Sequence, residues 1–154
     1  MITNVTGYFR EFGGFITPTE NGLEGAYAEF FAKTGSIDTN QKDRDAHLQS
    51  DDFFNAAQYP ELRFVSTAFE HAGGNQYKMT GHMTIRDITK EVTFNVESLG
   101  EVKDPYGNTK AGFEITGSIN RQEFGLRWSA VTEAGGIVVS DEVRLQLNVQ
   151  VVKG

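Results

Sequence analysis

Cysteine is absent from this sequence of 154 residues, and basic residues are outnumbered by acidic ones. Without a thiol, the chain has no disulfide bond, no thiolate zinc site and no cysteine nucleophile. The 14 Lys and Arg residues are scattered among 21 Asp and Glu residues, which gives a formal net charge of −7. Nucleic-acid binding depends on clustered Lys and Arg side chains, so we expect no nucleic-acid partner.

Long hydrophobic runs are also absent, and the apolar runs that do occur are far too short to cross a bilayer. We therefore predict no integral membrane segment. No basic amphipathic helix is evident, so an anionic membrane surface is not an obvious partner. The first residues contain neither the basic region nor the apolar region of a secretory signal, and the sequence as written predicts a cytoplasmic protein.

What the sequence has in abundance is alternation of apolar and polar residues with a period of two. Tyr77, Met79, Gly81, Met83 and Ile85 are one such series, and polar residues occupy the positions between them. Strands with one apolar and one polar face are typical of antiparallel sheets. The pattern predicts seven strands, at about 8–17, 23–37, 61–72, 76–87, 90–102, 109–119 and 137–152.

Two segments interrupt the strand pattern and are predicted to be short helical insertions, near 40–56 and 120–125. Strands of this length in simple succession favour an up-and-down barrel over a sandwich. The length and composition are those of one globular domain covering residues 1–154. The predicted fold is thus a single all-β, antiparallel up-and-down β-barrel.

Three segments resemble the YceI-like family in order and spacing: "SIDTNQKDRDAHLQSDDFFNAAQYPELRF" (36–64), "TGHMTIRDITKEV" (80–92) and "INRQEFGLRW" (119–128). The resemblance covers nearly the whole chain. It implies a lipocalin-like barrel of eight strands that binds a long amphiphile, notably a polyisoprenoid lipid, in its interior. It also implies a bacterial, stress-related protein without enzymatic activity. Many family members are periplasmic, which would apply here if a leader and a first strand were removed.

This sequence departs from the family pattern in two ways. Family members usually begin with one more strand, whereas this sequence starts inside the segment that follows it. An unpaired edge on the last strand then predicts a homodimer or higher oligomer; the alternative is direct closure of strands 8–17 and 137–152. Asp87 stands where the family often has a turn glycine, and Asp tolerates the left-handed conformation that such a turn needs.

The polar stretch from Arg44 to Phe54 allows two interpretations. In one, His47 is a general base oriented by Asp45, in a small hydrolase or isomerase acting on a sequestered substrate. In the other, Arg44 and Asp45 form a structural pair that positions Phe53 and Phe54 towards an apolar interior. No nucleophile motif accompanies the stretch, so the structural interpretation is favoured.

Metal and cofactor sites are not expected. The three histidines lie far apart in the sequence, at His47, His71 and His82, and no HxH or HExxH motif joins them. Asp51 and Asp52 lack the twelve-residue loop with a central glycine that would indicate a calcium site.

Aromatic residues are the informative part of the composition, with 12 Phe, 5 Tyr and 1 Trp. A barrel of this size can be filled by side chains or can hold one slender ligand. The sequence alone does not decide between a filled barrel and a barrel with a ligand tunnel. A filled barrel would act through its surface as an interaction module. The family resemblance favours the tunnel. The predicted wall residues are Phe12, Phe53, Phe54, Phe64, Met79, Met83, Phe94, Phe113, Phe124 and Trp128. The candidates for contact with a headgroup are Arg44, Arg121 and Arg127.

Overall fold

A computed structural model describes residues 6–126 and 141–153 of the chain. Nine strands lie in these residues: β1 (Tyr8–Phe9), β2 (Phe12–Thr19), β3 (Gly22–Lys33), β4 (Ile37–Asp38), β5 (Glu61–His71), β6 (Gln76–Ile85), β7 (Ile88–Lys103), β8 (Thr109–Asn120) and β9 (Glu142–Val152). One α-helix, α1 (Lys42–Gln49), and two 3₁₀ turns, Thr34–Ser36 and Arg121–Phe124, complete the secondary structure.

Seven of the strands form one antiparallel sheet in the order β2-β3-β5-β6-β7-β8-β9, and the sheet curls into a half-barrel. The lipocalin-like, antiparallel architecture predicted from the sequence is confirmed. Direct closure of the first strand on the last is wrong for the described residues, because β2 and β9 stand at opposite ends of the strand order. Each of these two strands has one neighbour there.

The predicted first strand is divided in two. β1 pairs with β4 in a small separate sheet, while β2 pairs with β3. Between them the backbone N–H of Arg10 donates to the Ser36 carbonyl at 3.1 Å, which draws the chain towards the 3₁₀ turn. That turn also ends β3 at Lys33, four residues before the predicted end. For the last predicted strand, residues 137–140 lie outside the described residues.

Both predicted helical insertions are present. Helix α1 and the turns that follow it occupy the first. At the second, the Asn120 side chain accepts a hydrogen bond from the Gln122 backbone N–H at 2.9 Å, and Gly125 ends the 3₁₀ turn with a left-handed φ of 77°.

Because the strands are antiparallel and follow chain order, alternate connections lie at the same end of the half-barrel. The tight turns at 20–21, 72–75 and 104–108 share one end, which we call the hairpin end. The long connection 34–60, the turn 86–87 and the turn 121–125 share the other. We call residues 39–60, which include α1, the plug segment, and this second end the plug end.

Candidate functional site

The centre of the inner face is filled by three aromatic rings. Phe30 and Phe64 stack with their ring centroids 4.9 Å apart. Phe94 meets them edge-on, with centroid distances of 5.8 Å to Phe30 and 5.1 Å to Phe64. Phe64 and Phe94 are both 0% exposed. This level of the half-barrel is therefore packed core.

Two inward-facing glycines make room for these rings. A Cβ atom at Gly81 would lie 2.2 Å from the Val65 carbonyl oxygen and 2.7 Å from Cζ of Phe64. A Cβ atom at Gly117 would lie 2.6 Å from Cδ1 of Phe94. Contacts this short are repulsive, so each ring occupies the space that any other residue's side chain would fill.

The inner face of β9 is different, because its apolar residues are only half-buried. We call these residues the apolar strip: Leu145, Leu147, Val149 and Val151, all packed against the core. On the opposite edge of the sheet, Ile16 of β2 is also half-buried, and Phe12 is 61% exposed. Both edges of the half-barrel therefore offer apolar surface on the inner face to solvent.

The plug segment is joined to the fold at its start through Thr39, which is 6% exposed. The Arg44 guanidinium donates to the Thr39 hydroxyl at 2.8 Å and to its carbonyl at 2.7 Å. The Asp45 carboxylate accepts from the Thr39 backbone N–H at 2.8 Å. Arg44 and Asp45, the predicted structural pair, are thus connected through Thr39, which both side chains bind.

Arg86 holds the other part of the plug segment. Its guanidinium donates to the carbonyl oxygens of Asp51 and Phe53, at 2.7 and 2.9 Å. It also forms a salt bridge of 2.9 Å with the Asp51 carboxylate and lies 5.7 Å from the centroid of the Tyr59 ring. Arg86 therefore connects the turn between β6 and β7 to the plug segment.

The backbone of Arg86 is unusual. Its φ is 55°, in the region that non-glycine residues seldom occupy. The left-handed residue was predicted at Asp87, and the structure places it one residue earlier. The first central residue of a two-residue hairpin turn of type I′ or II′ has positive φ, and glycine, asparagine and aspartate are the usual residues in such turns. Arg86 thus has a strained backbone conformation while its side chain makes several contacts, and glycine at this position would relax the turn.

The aromatic end of the plug segment packs inward. Phe53 is 7% exposed, and the imidazole ring of His47 meets it edge-on with 5.2 Å between centroids. Phe54 is half-buried and packs edge-on against Phe9 of β1 at 5.7 Å. The predicted orientation of both rings towards the apolar interior agrees with these contacts.

The acid–base pair of the enzymatic interpretation is not assembled. Nε2 of His47 lies 2.8 Å from the Asp52 carboxylate, whereas Asp45, its predicted partner, is bound to Thr39. The side chains of His47 and Asp52 are 37% and 53% exposed. The pair lies on the surface of the plug end and outside the half-barrel interior.

Two surface hollows lie elsewhere. One, of about 270 Å³, is lined by Gly14, Phe15, Glu29, Phe30, Phe31 and Arg63. The other, of about 290 Å³, is lined by Thr6, Tyr8, Arg10, Asp38, Thr39 and Asn40. In the second, the backbone N–H of Asn40, with the Arg10 side chain, holds the pKa of the Asp38 carboxyl below its usual value. Neither hollow is lined by a predicted wall residue or by His47.

The predicted wall residues differ in their exposure. Seven are buried: Phe53, Phe64, Met79, Met83, Phe94, Phe113 and Phe124. Phe54 is half-buried and Phe12 is mainly exposed, while Trp128 lies outside the described residues. Their part in ligand binding stays a prediction.

Two of the three predicted headgroup contacts, Arg44 and Arg121, make contacts within the protein. Arg44 is bound to Thr39. Arg121 is 3% exposed, donates to the Leu126 carbonyl and lies 3.6 Å from the Asp141 carboxylate. Arg127 lies outside the described residues. A role for these three side chains at a ligand headgroup remains a prediction, and sequence reasoning missed Thr39 and Arg86, which organise the plug end.

Across residues 6–126 and 141–153, no three His, Asp or Glu side chains come together in a way that would hold a metal ion. In the same part of the chain, no helix combines the length and apolarity needed to cross a membrane.

Comparison with known proteins identifies the family of this chain. The model of the YceI-like domain matches residues 1–151. The chain belongs to the YceI-like family. Related proteins include Protein YceI of Escherichia coli O157:H7, 35% identical over 94% of this YceI-like chain and 72% of the relative. A UPF0312 protein of Photorhabdus laumondii is 40% identical over 79% of this chain. The match spans only 62% of that relative's length.

Solved structures agree with the fold of this YceI-like chain. The crystal structure of the Campylobacter jejuni YCEI protein superposes with a TM-score of 0.87 at 31% identity, covering 100% of this chain and 88% of that one. BcnA of Burkholderia cenocepacia gives a TM-score of 0.81 at 26% identity, covering 94% of this chain and 86% of that one. These likenesses are consistent with a half-barrel that binds a hydrophobic ligand.

Proposed function

We propose that this YceI-like chain, as one domain over residues 1–154, binds a long apolar amphiphile such as a polyisoprenoid lipid and carries or sequesters it without chemical change. The observation that carries the proposal is the apolar strip. Four consecutive inward positions of β9 are apolar yet only half-buried. A partly exposed apolar row of this kind on the concave face of a sheet indicates a binding surface.

Burial of the ligand chain supplies the main binding free energy. Each methylene group removed from water contributes ~0.8 kcal/mol, so ten carbons give up to ~8 kcal/mol before ordering costs. An exposed salt bridge to a headgroup adds only ~0–1 kcal/mol. Selectivity on this surface should therefore follow the length and shape of the chain more than the charge of the headgroup.

Replacing Leu147 by aspartate should weaken binding of a fluorescent prenyl or fatty-acid probe by about tenfold or more, because a charge would then face the apolar chain. The matched control is Asn148→Asp, which adds the same charge to the same strand on its outer, exposed face. Titration of both purified variants with the probe measures the effect. Equal affinities in two folded variants would remove the apolar strip from the binding surface.

Native mass spectrometry of gently purified protein, followed by organic extraction, would identify the bound amphiphile itself. We expect a bound species that is released by solvent and absent from the Leu147→Asp variant. A wild-type protein that carries no amphiphile and binds no probe would contradict the proposal as a whole.

We also propose that a second copy of the chain pairs with the edge of β9. In the described residues β9 has β8 as its single neighbouring strand, so its other edge is open to pairing with a further strand. Each ladder hydrogen bond formed there would contribute ~0.5–1.5 kcal/mol. A homodimer would satisfy this edge and cover part of the apolar strip at the same time.

Sedimentation at low micromolar concentration is expected to show a dimer. Proline at Gln146 would remove a backbone donor in β9, while Gln150→Ala on the same outer face leaves the backbone intact. Measured on folded protein, a dimer that both variants retain, or a wild-type monomer, would contradict pairing along β9.

A further inference from the structure

The outer face of the last strand is polar except at the hairpin end. Along β9 the outward residues Arg144, Gln146, Asn148 and Gln150 are exposed and polar. The series then ends in Val152, which is 57% exposed. The change from polar to apolar residues occurs within one strand, so it marks a distinct surface at that end.

Neighbouring strands add to this surface. Cross-strand pairing places Val102 of β7 beside Lys110 of β8, and Lys110 beside Val152 of β9. Leu99 lies over Gly112, since its Cβ atom is 3.5 Å from the position that a Cβ atom of Gly112 would take. Leu99 and Val102 are 60% and 62% exposed.

A bulge brings these two β7 residues to the same side. The ladder between β7 and β8 shifts between Ser98 and Glu101, with Gly100 at a φ of 91°. Residues three apart on a regular strand face opposite sides, and one inserted residue reverses that relation. The extra residue is therefore what places Leu99 and Val102 together on the outer face.

The adjoining turn adds an amphipathic ring and positive charge. Tyr106, at the tip of the turn, is 89% exposed. Lys103 and Lys153 are exposed at the same end of the sheet, and each follows an outward valine, so its side chain leaves the opposite face. Glu101 is exposed there too, while Lys110 lies 3.5 Å from the Asp104 carboxylate. We call Leu99, Val102, Lys103, Tyr106, Val152 and Lys153 the hairpin tip. Its two lysines are accompanied by the exposed Glu101 carboxylate, so the hairpin tip is an apolar and weakly basic surface on a chain whose formal net charge is −7.

We propose that the hairpin tip docks on a lipid bilayer that carries anionic headgroups. Tyrosine and lysine side chains suit the bilayer interface, because each joins an apolar body to a polar end. The aliphatic residues supply the apolar contact, and the lysines are attracted to the anionic surface. A second copy of the chain fits this surface less well, since a symmetric contact would bring the same lysines together.

The location suits a carrier. The hairpin tip lies at the end of the half-barrel opposite the plug segment, and the apolar strip ends there at Val151, one residue before Val152. Docking at this end would bring the inner apolar surface close to the lipid. The docking proposal rests on the exposed side chains of the hairpin tip and does not depend on which ligand, if any, the apolar strip binds.

Flotation with vesicles of phosphatidylcholine and phosphatidylglycerol tests the proposal on the full chain. Neutralising both lysines, Lys103→Gln with Lys153→Gln, should reduce partitioning by roughly fivefold for each lysine at low salt. The double variant Leu99→Ser with Val102→Ser should reduce it by about tenfold or more at any salt concentration. Wild-type binding should weaken as salt is raised, because salt screens the lysines.

Matched controls lie away from the hairpin end. Lys42→Gln with Lys90→Gln removes the same charge from exposed positions at the plug end, and Phe15→Ser removes an apolar group that is 49% exposed on β2. Controls and tip variants should bind the soluble prenyl probe equally, which separates this result from that of the proposed function. The proposal would be overturned if the wild type did not bind vesicles, or if controls and tip variants lost binding equally. It would also be overturned if the tip variants changed the oligomeric state without any vesicle binding.

Discussion

Replacing Phe94 by alanine is expected to lower the free energy of unfolding by about 3–5 kcal/mol. The ring is 0% exposed and contacts Phe30 and Phe64. Its removal would leave a space that the rigid strands on either side can fill only in part. Chemical denaturation monitored by far-ultraviolet circular dichroism measures the loss.

Phe94→Leu should show a smaller loss, because it keeps part of the buried volume. Tyr106→Ala is the matched control, since that ring is 89% exposed and its removal should change stability by less than ~0.5 kcal/mol. A loss below about 1 kcal/mol for Phe94→Ala would mean that the ring lines an open chamber, because a wall residue has fewer partners to lose.

Replacing Arg86 by alanine is expected to destabilise the protein by roughly 2–3 kcal/mol and to loosen the plug segment. The guanidinium donates to two carbonyl groups and to the Asp51 carboxylate, and its side chain is 19% exposed. A hydrogen bond from a charged donor contributes ~1.5–3 kcal/mol where it is shielded from water, and of these three bonds only the one to the Phe53 carbonyl is partly buried. Amide hydrogen exchange should therefore rise across residues 51–59 before it rises in the central strands.

Arg86→Gly separates the side chain from the backbone. Glycine removes the same contacts but relieves the positive φ, so this variant should be less destabilised than Arg86→Ala by about 1 kcal/mol. Asp87→Ala, in the same turn and at an exposed position, should leave exchange in the plug segment unchanged. If Arg86→Ala behaved like Asp87→Ala, the turn would not be what holds the plug segment.

Much of the sheet follows from the sequence because each strand carries its own pattern. The series from Tyr77 to Ile85 alternates without interruption, and β6 pairs with both neighbours along it. The turn after Asn120 was also predictable, since an Asn side chain can cap the next residues and Gly125 can adopt a positive φ.

Features that depend on partners distant in the chain could not be predicted in the same way. Thr39 is one polar residue among many, and only the fold shows that Arg44 and Asp45 both bind it. Arg86 continues the outward polar series of β6, so alternation alone makes it a surface residue. Its contacts with Asp51 and Phe53 exist because the plug segment returns to that turn.

The exposure of individual residues on the inner face could not be predicted from the alternating pattern either. Phe94 and Leu147 occupy equivalent inward positions in their strands, yet one is fully buried and the other half-buried. The difference comes from the number of neighbouring strands, which local alternation does not encode. For the same reason the predicted ring positions did not indicate which would form the core and which would remain open to a ligand.

The plug segment also has a consequence for the chain entropy of folding. The other connections between neighbouring strands β2 to β8 are tight turns, whereas β3 and β5 are separated by residues 34–60. Closing that longer loop costs about 2 kcal/mol more than closing a two-residue turn. Thr34 joins the two ends of this loop. Its backbone N–H donates to the Pro60 carbonyl at 2.9 Å, and its hydroxyl donates to the Tyr59 carbonyl at 2.7 Å. The largest loop-closure cost within β2 to β8 thus falls at the junction of β3 with β5. This junction divides the strands into an N-terminal hairpin, β2 and β3, and a C-terminal meander, β5 to β8.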